Sequence, residues 1–347
     1  MRTASESAKS ALQLALGSPP AYRLLRWAGS RRAIIFMLHR FQDPDLHARG
    51  TEASVLRATL SALRRRGAAI LSLRELVSSI EARTDLCGPA VVFTVDDGYR
   101  DFLTTAAPIF ASFEAPVTVF LATRFVDGGF WCWWDRIEYA VSHSPRHSVA
   151  LELNGGSVHL EWECQTGRSA AIDSIAERLK RVPDAQRHEV LDRLGELLDV
   201  ENPAKPPPPF GAISWDEVRR LERAGVEFGP HTRSHPILSR IEDEAARDEI
   251  MGSWDDLRRE CVSPVPVFCY PNGKGQDYGP RDARLVRHAG LQGALAVYES
   301  YVRPAHMTLE DRFWLPRFPF PGDPRTALFQ ASGLARSAPR IERRARA

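Results

Sequence analysis

The sequence predicts an α/β fold, a (β/α) barrel, on three observations. Apolar runs of strand length alternate with helically spaced apolar residues about seven or eight times along the chain. Polar and charged residues gather where those runs end, the arrangement of a barrel whose active groups sit on the C-terminal rim. Neither GxGxxG nor a P-loop follows any run, so an open doubly wound sheet is the second choice. The 347 residues suffice for a substantial core. With 44% hydrophobic and 26% charged residues the composition is that of a soluble globular protein. The 46 basic and 44 acidic side chains leave a net charge of +2, which gives no case for a nucleic-acid binder with its concentrated basic face.

Ala33 to Leu38 reads as the first buried strand and ends in His39 and Arg40. Leu56, Leu60 and Leu63 then recur at helical spacing, and Ala68 to Leu73 is a second strand. Val91 to Val95 is the next, followed by a helix with Phe102, Ala106, Ile109, Phe110 and Phe113 on one face. Pro116 introduces the run Val117 to Ala122. From about 127 to 210 the rhythm breaks. Val149, Leu151 and Leu153 alternate with polar residues, Asn154 to Gly156 supply a turn, and Val158, Leu160 and Trp162 alternate again, as in a β-hairpin. Two short helical patterns and the stiff run Pro206 to Pro209 complete what reads as an insertion within one domain of about 31–330. The main rhythm resumes at Ser214, which forms a capping box with Glu217. Val226 to Gly229 is a short strand, Ser239 and Glu242 suit the start of a long helix, and Val265 to Tyr270 is a strand ending in PNG. Ala283 to His288 is helical, and Gly293 to Val297 and Trp314 to Phe318 are late strands.

Residues 1–30 form an N-terminal segment in which weak amphipathic membrane contact stays open, and the Arg- and Ala-rich tail, 331–347, is expected to fray. The apolar stretch Ala11 to Leu16 is too short for a signal sequence, and no run reaches transmembrane length. The five cysteines are scattered and odd in number, which suits a reducing compartment. The expectation is a cytoplasmic protein.

Two stretches carry chemistry. VVFTVDDG, Val91 to Gly98, is an apolar run that delivers Asp96 and Asp97 to a rim, where one carboxylate is able to hold a cation while the other moves a proton. The plain alternative is a strand end followed by a helix N-cap. FGPHTRSHP, Phe228 to Pro236, holds His231 and His235, with Pro236 biasing His235 away from helical geometry. Two imidazoles and one carboxylate, with Asp97 as the natural third ligand, make a three-ligand site with open positions, as a catalytic Zn²⁺ requires. A hydrogen-bonding loop is the bland alternative.

Together TVDDG and HTRSH resemble the signature of the polysaccharide deacetylases, the NodB-type domain of carbohydrate esterase family 4. The resemblance runs from about Ala33 to Phe320 and takes in His39 in FMLHR, DDGYRDF, FWCWWDRIEYA, SWDEVRRLERAGVEFGPHT, CYPNG and the late LPRF. It implies a distorted (β/α) barrel of about seven strands and a divalent metal, commonly Zn²⁺, on Asp97, His231 and His235. It also makes Asp96 the general base and an N-acetylated carbohydrate the substrate. In that chemistry a water activated at the ion gives its proton to Asp96 and attacks an acetamide carbonyl, and a backbone N–H at the position of Asn272 helps stabilise the oxyanion. A plain turn is the alternative for PNG.

Three departures stand out. Val95 replaces a Phe. Cys269 stands where many members carry Arg, so that contact is lost or supplied elsewhere. The late Leu-x-His, whose His would protonate the leaving amine, is missing, and LPRF offers Arg317 instead, to orient Asp96, bind substrate or form a rim salt bridge. His39 and His306 are acids by elimination only, and structural roles suit both better. Trp131 and Trp134, with Trp133 and Asp135 beside them, suit either a sugar-stacking platform or core packing. Tyr99, Tyr270, Pro271 and His39 complete the substrate-binding candidates. A silent carbohydrate-binding protein and a hydrolase of a small non-sugar amide are the alternatives to a deacetylase. Oligomeric state is not legible.

Overall fold

The computed structural model describes residues 20, 31–153, 155–333 and 335. In chain order it begins with β1 (Ala33–Leu38), α1 (Ala53–Arg65), β2 (Ala69–Ile70), α2 (Leu73–Glu81), β3 (Ala90–Val95), α3 (Ala107–Ser112), β4 (Thr118–Leu121) and α4 (Thr123–Val126). The insertion carries α5 (Trp133–His143), β5 (Ser148–Leu153), β6 (Gly156–Glu161), α6 (Gln165–Leu179) and α7 (Asp184–Leu198). Then follow α8 (Trp215–Arg223), β7 (Glu227–Pro230), α9 (Asp243–Glu260), β8 (Val267–Cys269), α10 (Pro280–His288), β9 (Gly293–Leu295), β10 (Phe318–Pro319) and α11 (Pro324–Ala331).

The main sheet is parallel in the order β10-β1-β3-β4-β7, with β2 also paired to β3, while β8 and β9 form a second parallel pair. Backbone hydrogen bonds bridge the intervals. Val265 N–H donates to Phe228 O at 2.7 Å, and Leu315 N–H to Ala294 O at 2.8 Å. The result is an α/β fold built as a distorted (β/α) barrel, although no continuous strand ladder closes it among the described residues.

Alternation along the strands sorts the core. Val91, Phe93 and Val95 face the helices, where Phe93 meets Phe110 edge-on at 5.4 Å. On the other face Ile35, Val92, Phe120, Val267, Leu295 and Leu315 share one cluster, which α2 caps through Leu73 and Leu76. The expected hairpin pairs β5 with β6, from Ser148 opposite Glu161 to Leu153 opposite Gly156. Its buried face joins Trp133, Ile137, Ile175, Leu191 and Leu198 in an apolar cluster of the insertion's own.

Several strands are shorter than expected, each for a local reason. Ser72 and Glu75 form a capping box that starts α2, leaving β2 two residues. Pro266 has no N–H for a ladder, and β8 begins after it. Residues Asp311–Trp314 wind into a 3-10 turn, so the last strand is only Phe318–Pro319. The expected Ser239 cap is wrong. α9 starts at Asp243 without a side-chain cap, and the Ser239 hydroxyl donates to Gln276 O at 2.8 Å. Ser214 and Glu217 do form their capping box. Among the described residues no helix is long and apolar enough to cross a membrane. The amphipathic reading of residues 1–30 lies outside the described residues except at residue 20, as does the tail from Arg336.

Candidate active site

The parallel strands bring their C-terminal ends together. Asp96 continues the inner row of Val92 and Thr94, as alternation requires. Asp97 breaks the alternation with φ 75°, and Gly98 follows at φ 95°. A left-handed non-glycine residue costs about 1–3 kcal/mol and persists only where its surroundings enforce it. The described non-glycine residues with positive φ are His47, Arg83, Asp97, Glu114, Asp199, Thr232, His235 and Asn272. Asp97, Thr232, His235 and Asn272 are on the three motif loops, so the strain concentrates where chemistry was expected.

His231 Nε2 and His235 Nε2 each lie 3.5 Å from Asp97 Oδ1, and the two rings meet edge-on at 4.7 Å. His231 Nδ1 is 2.7 Å from Cys269 O. A carbonyl only accepts, so Nδ1 carries the hydrogen and Nε2 presents its lone pair to Asp97. All three residues are buried, with ligand atoms within 4.8 Å of one another. Asp97 Oδ1 itself is buried with no hydrogen-bond partner among the described residues. Two tetrahedral zinc ligands at about 2.1 Å from the metal are roughly 3.4 Å apart, so spacing and donor set both fit a divalent cation. The electrostatics agree. Burial, then Asp96 and Asp135, push the Asp97 carboxyl well above the usual carboxylate range. Burial drives His231 down to about 4, and burial with the neighbouring His231 takes His235 well below the ordinary imidazole value. Neutral imidazoles around a carboxyl group that no Lys or Arg pairs with directly among the described residues favour a cation. Asp96, His231 and Cys269 are a second close trio. There Arg317 already supplies the positive charge.

Arg317 is almost wholly buried beneath the rim, and its Nη1 donates to Asp96 Oδ1 at 2.7 Å. Nη1 also lies 3.4 Å from Thr94 Oγ1, and Cys269 Sγ is 3.6 Å from the same Asp96 oxygen. The arginine therefore orients Asp96 from below. Its salt bridge to Asp96 is buried, and Arg317 has almost no exposed surface to offer a substrate. Burial alone would raise the Asp96 pKa, but Arg317 chiefly, with His231 and His39, holds it well below the usual carboxylate range. His39 follows β1, its Nε2 3.7 Å from Asp96 Oδ2 and its side chain 45% exposed. His306 is elsewhere. It ends a turn just beyond Val302, which pairs with Ala33 at the start of β1.

The histidine loop is held by residues other than the candidate ligands and substrate contacts. Glu249 of α9 accepts from Arg233 N–H at 2.8 Å, Ser234 N–H at 2.9 Å and the Ser234 hydroxyl at 2.5 Å. Thr232 Oγ1 accepts from His235 N–H at 3.0 Å, and Asp256 accepts from Thr123 Oγ1 at 2.7 Å and from Arg233 Nε at 3.3 Å. The available signal was the pair of acids at 249 and 256, one heptad apart on a helix face that buries Ile250 and Leu257.

The substrate candidates divide. Trp134 reaches the site, its ring centroid 4.5 Å from that of His235 and its Nε1 donating to the Tyr99 hydroxyl at 2.8 Å. Tyr99 is buried, donates to Asp135 Oδ2 at 2.6 Å and lies under the Arg40 guanidinium at 3.9 Å, so it supports the wall from behind. Burial lifts the Asp135 pKa to about 7 against the Tyr99 hydrogen bond and the nearby Arg40 charge. Tyr270 is fully buried, stacked on Tyr278 at 4.0 Å with its hydroxyl donating to Phe313 O, and Pro271 is buried beside it. Neither offers a face to substrate. Trp131 stacks on Phe210 at 6.0 Å, and Trp133 turns into the insertion core. Asn272 is left-handed and half-buried, with no hydrogen bond to its backbone N–H among the described residues.

The family model described as Polysaccharide deacetylase matches residues 83–294. No curated protein matches the sequence. Among solved structures, the Streptococcus pyogenes deacetylase PplD in complex with acetate superposes with a TM-score of 0.56 at 15% identity, covering 86% of this chain and 98% of that one. IcaB from Ammonifex degensii gives 0.54 at 13% identity, covering 88% and 98%. A de-N-acetylase from Aggregatibacter actinomycetemcomitans gives 0.52 at 13%, covering 84% and 95%. At these identities the likeness is one of fold.

Proposed function

The chain belongs to the polysaccharide deacetylase family, hydrolases of carbon–nitrogen bonds in linear amides, and on that premise we propose that it removes N-acetyl groups from an amino-sugar polysaccharide or its lipid-linked precursor. A divalent cation, Zn²⁺ first, is held by Asp97, His231 and His235. The observation that carries this reading is Asp97 Oδ1, a buried acceptor with no hydrogen-bond donor among the described residues, which faces two imidazole Nε2 atoms at 3.5 Å. When bound, such an ion supplies an acidified water and a polarised carbonyl.

The remaining steps fall to the chain's own groups. Asp96 takes the water's proton, and Arg317 keeps its carboxylate ionised and aimed. The Asn272 N–H is free to donate to the developing oxyanion. Trp134 offers its face to the pyranose ring. His39, beside Asp96 and partly open to solvent, carries the proton to the leaving amine. Acetate release from N-acetylated oligosaccharides by zinc-loaded protein tests the whole. No release from any member of such a panel, with zinc bound, would end the proposal.

Two predictions refine these roles. His39→Asn is expected to lower kcat by about 10²-fold while leaving zinc affinity unchanged, and an unaltered kcat would return His39 to a structural role. Arg317→Met removes the charge that depresses the Asp96 pKa and leaves burial, which raises it. The acid limb of the kcat/KM profile should therefore move to higher pH, with activity lost on acidification sooner than in the parent. A profile that keeps its acid limb would separate Arg317 from Asp96 ionisation.

A further inference from the structure

Beside the histidine loop, the insertion forms most of a partly open cavity of about 300 Å³ lined by Trp131, Trp133, Arg136, Asp184, Arg187 and His188, and by Ser234 and Pro236 on either side of His235. That volume is at the low end for small-molecule sites, roughly 300–1,000 Å³. Arg187 is 1% exposed. Its Nη2 bonds Asp184, but Nε and Nη1 are buried without a hydrogen-bond partner among the described residues, and so are Nε1 of Trp131 and of Trp133. A buried guanidinium normally has its donors satisfied, and each exception calls for an explanation.

Local structure does not provide one. Arg187 is in the first turn of α7, where a positive charge opposes the helix dipole. Its guanidinium stands 5.2 Å over the Trp133 ring, which satisfies none of its N–H groups. Burial lowers its pKa from the usual arginine value even with Asp184 alongside. His188 Nε2 lies 3.3 Å from the other Asp184 oxygen, so that acid is shared. The unsatisfied groups in this wall are all donors, and their common complement is an oxyanion, which accepts from a guanidinium fork and from indole N–H groups together.

We propose that this cavity is an oxyanion subsite, holding a phosphate or carboxylate group carried by the saccharide substrate next to the unit being deacetylated. The inference rests on the deacetylase reading and deepens it, because it gives the substrate a negative charge. Ser234 and Pro236 make the connection, since the loop that presents His235 also forms the cavity wall.

Binding to metal-free full-length chain is measured by tryptophan fluorescence and calorimetry, with inorganic phosphate, glucosamine 1-phosphate, methyl glucuronide and neutral methyl N-acetylglucosaminide as probes. Saturable binding of a phosphate or of the glucuronide is expected, and whichever of the two binds identifies the source of the charge. Arg187→Gln should abolish that binding while still taking up one equivalent of zinc, which shows that the fold persists. Trp131→Phe, which keeps an aromatic ring and loses one donor, should weaken it about tenfold. If Arg187→Gln does not fold, Trp131→Phe decides. No anion binding by the parent chain, or binding unchanged in the variants, overturns the subsite. Acetate release by zinc-loaded protein is read separately, so release without anion binding ends this inference alone, whereas anion binding without release ends the deacetylase reading.

Discussion

His231→Ala is expected to give a folded chain that no longer retains an equivalent of zinc and releases no acetate above background. The side chain joins two parts of the site. Its Nδ1–H is fixed on Cys269 O at 2.7 Å, and its Nε2 faces Asp97 Oδ1 at 3.5 Å. Without it a bound cation would keep only Asp97 and His235, fewer than the three protein ligands of a catalytic zinc site. Were His231 merely a core residue, its loss would lower the melting temperature equally with and without zinc. The two roles separate in the difference between those temperatures. A ligand at 100 times its Kd stabilises the native state by about 2.7 kcal/mol, and this increment should vanish in the variant. A zinc-induced shift that survives the substitution would remove His231 from the ligand set.

The sequence made the scaffold legible because buried parallel strands are nearly continuous apolar runs, and Ala33–Leu38 and Ala90–Val95 emerge almost as expected. The acidic pair and the histidine pair were legible because each motif is contiguous and follows such a run. What failed was inference from adjacency. Tyr99 and Tyr270 neighbour the motifs in sequence, yet alternation and stacking turn their side chains into the protein. Trp131 stands three residues from Trp134 but lines the cavity beside the histidine loop and does not share Trp134's contact with His235. Glu249 was missed because two of its three donors are backbone N–H groups, which leave no mark on side-chain spacing, and the third, the Ser234 hydroxyl, belongs to a distant loop. Arg317 was named, but its depth was not legible, since its contact with Asp96 spans 221 residues of chain. The Cys269 departure becomes intelligible on the same ground. A guanidinium meets Asp96 all the same, supplied by Arg317 next to β10 and not from position 269.

Asp96→Asn should separate proton transfer from metal retention, with zinc stoichiometry unchanged and kcat for acetate release lowered by roughly 10²–10⁴-fold. The amide has nearly the shape of the carboxylate but accepts no proton at neutral pH. It also leaves Arg317, almost wholly buried, facing a neutral group in place of its counter-charge at 2.7 Å. Breaking one side of a buried ion pair is destabilising, so a lower melting temperature is expected alongside the lost turnover. That fall alone would not show catalysis. The combination Asp96→Asn with Arg317→Met removes both charges and should recover much of the stability without recovering kcat. A structural Asp96 would instead give a double variant in which activity returns with stability. Proton acceptance by Asp96 requires the two to diverge, because the repaired core still has nothing at position 96 to take the proton.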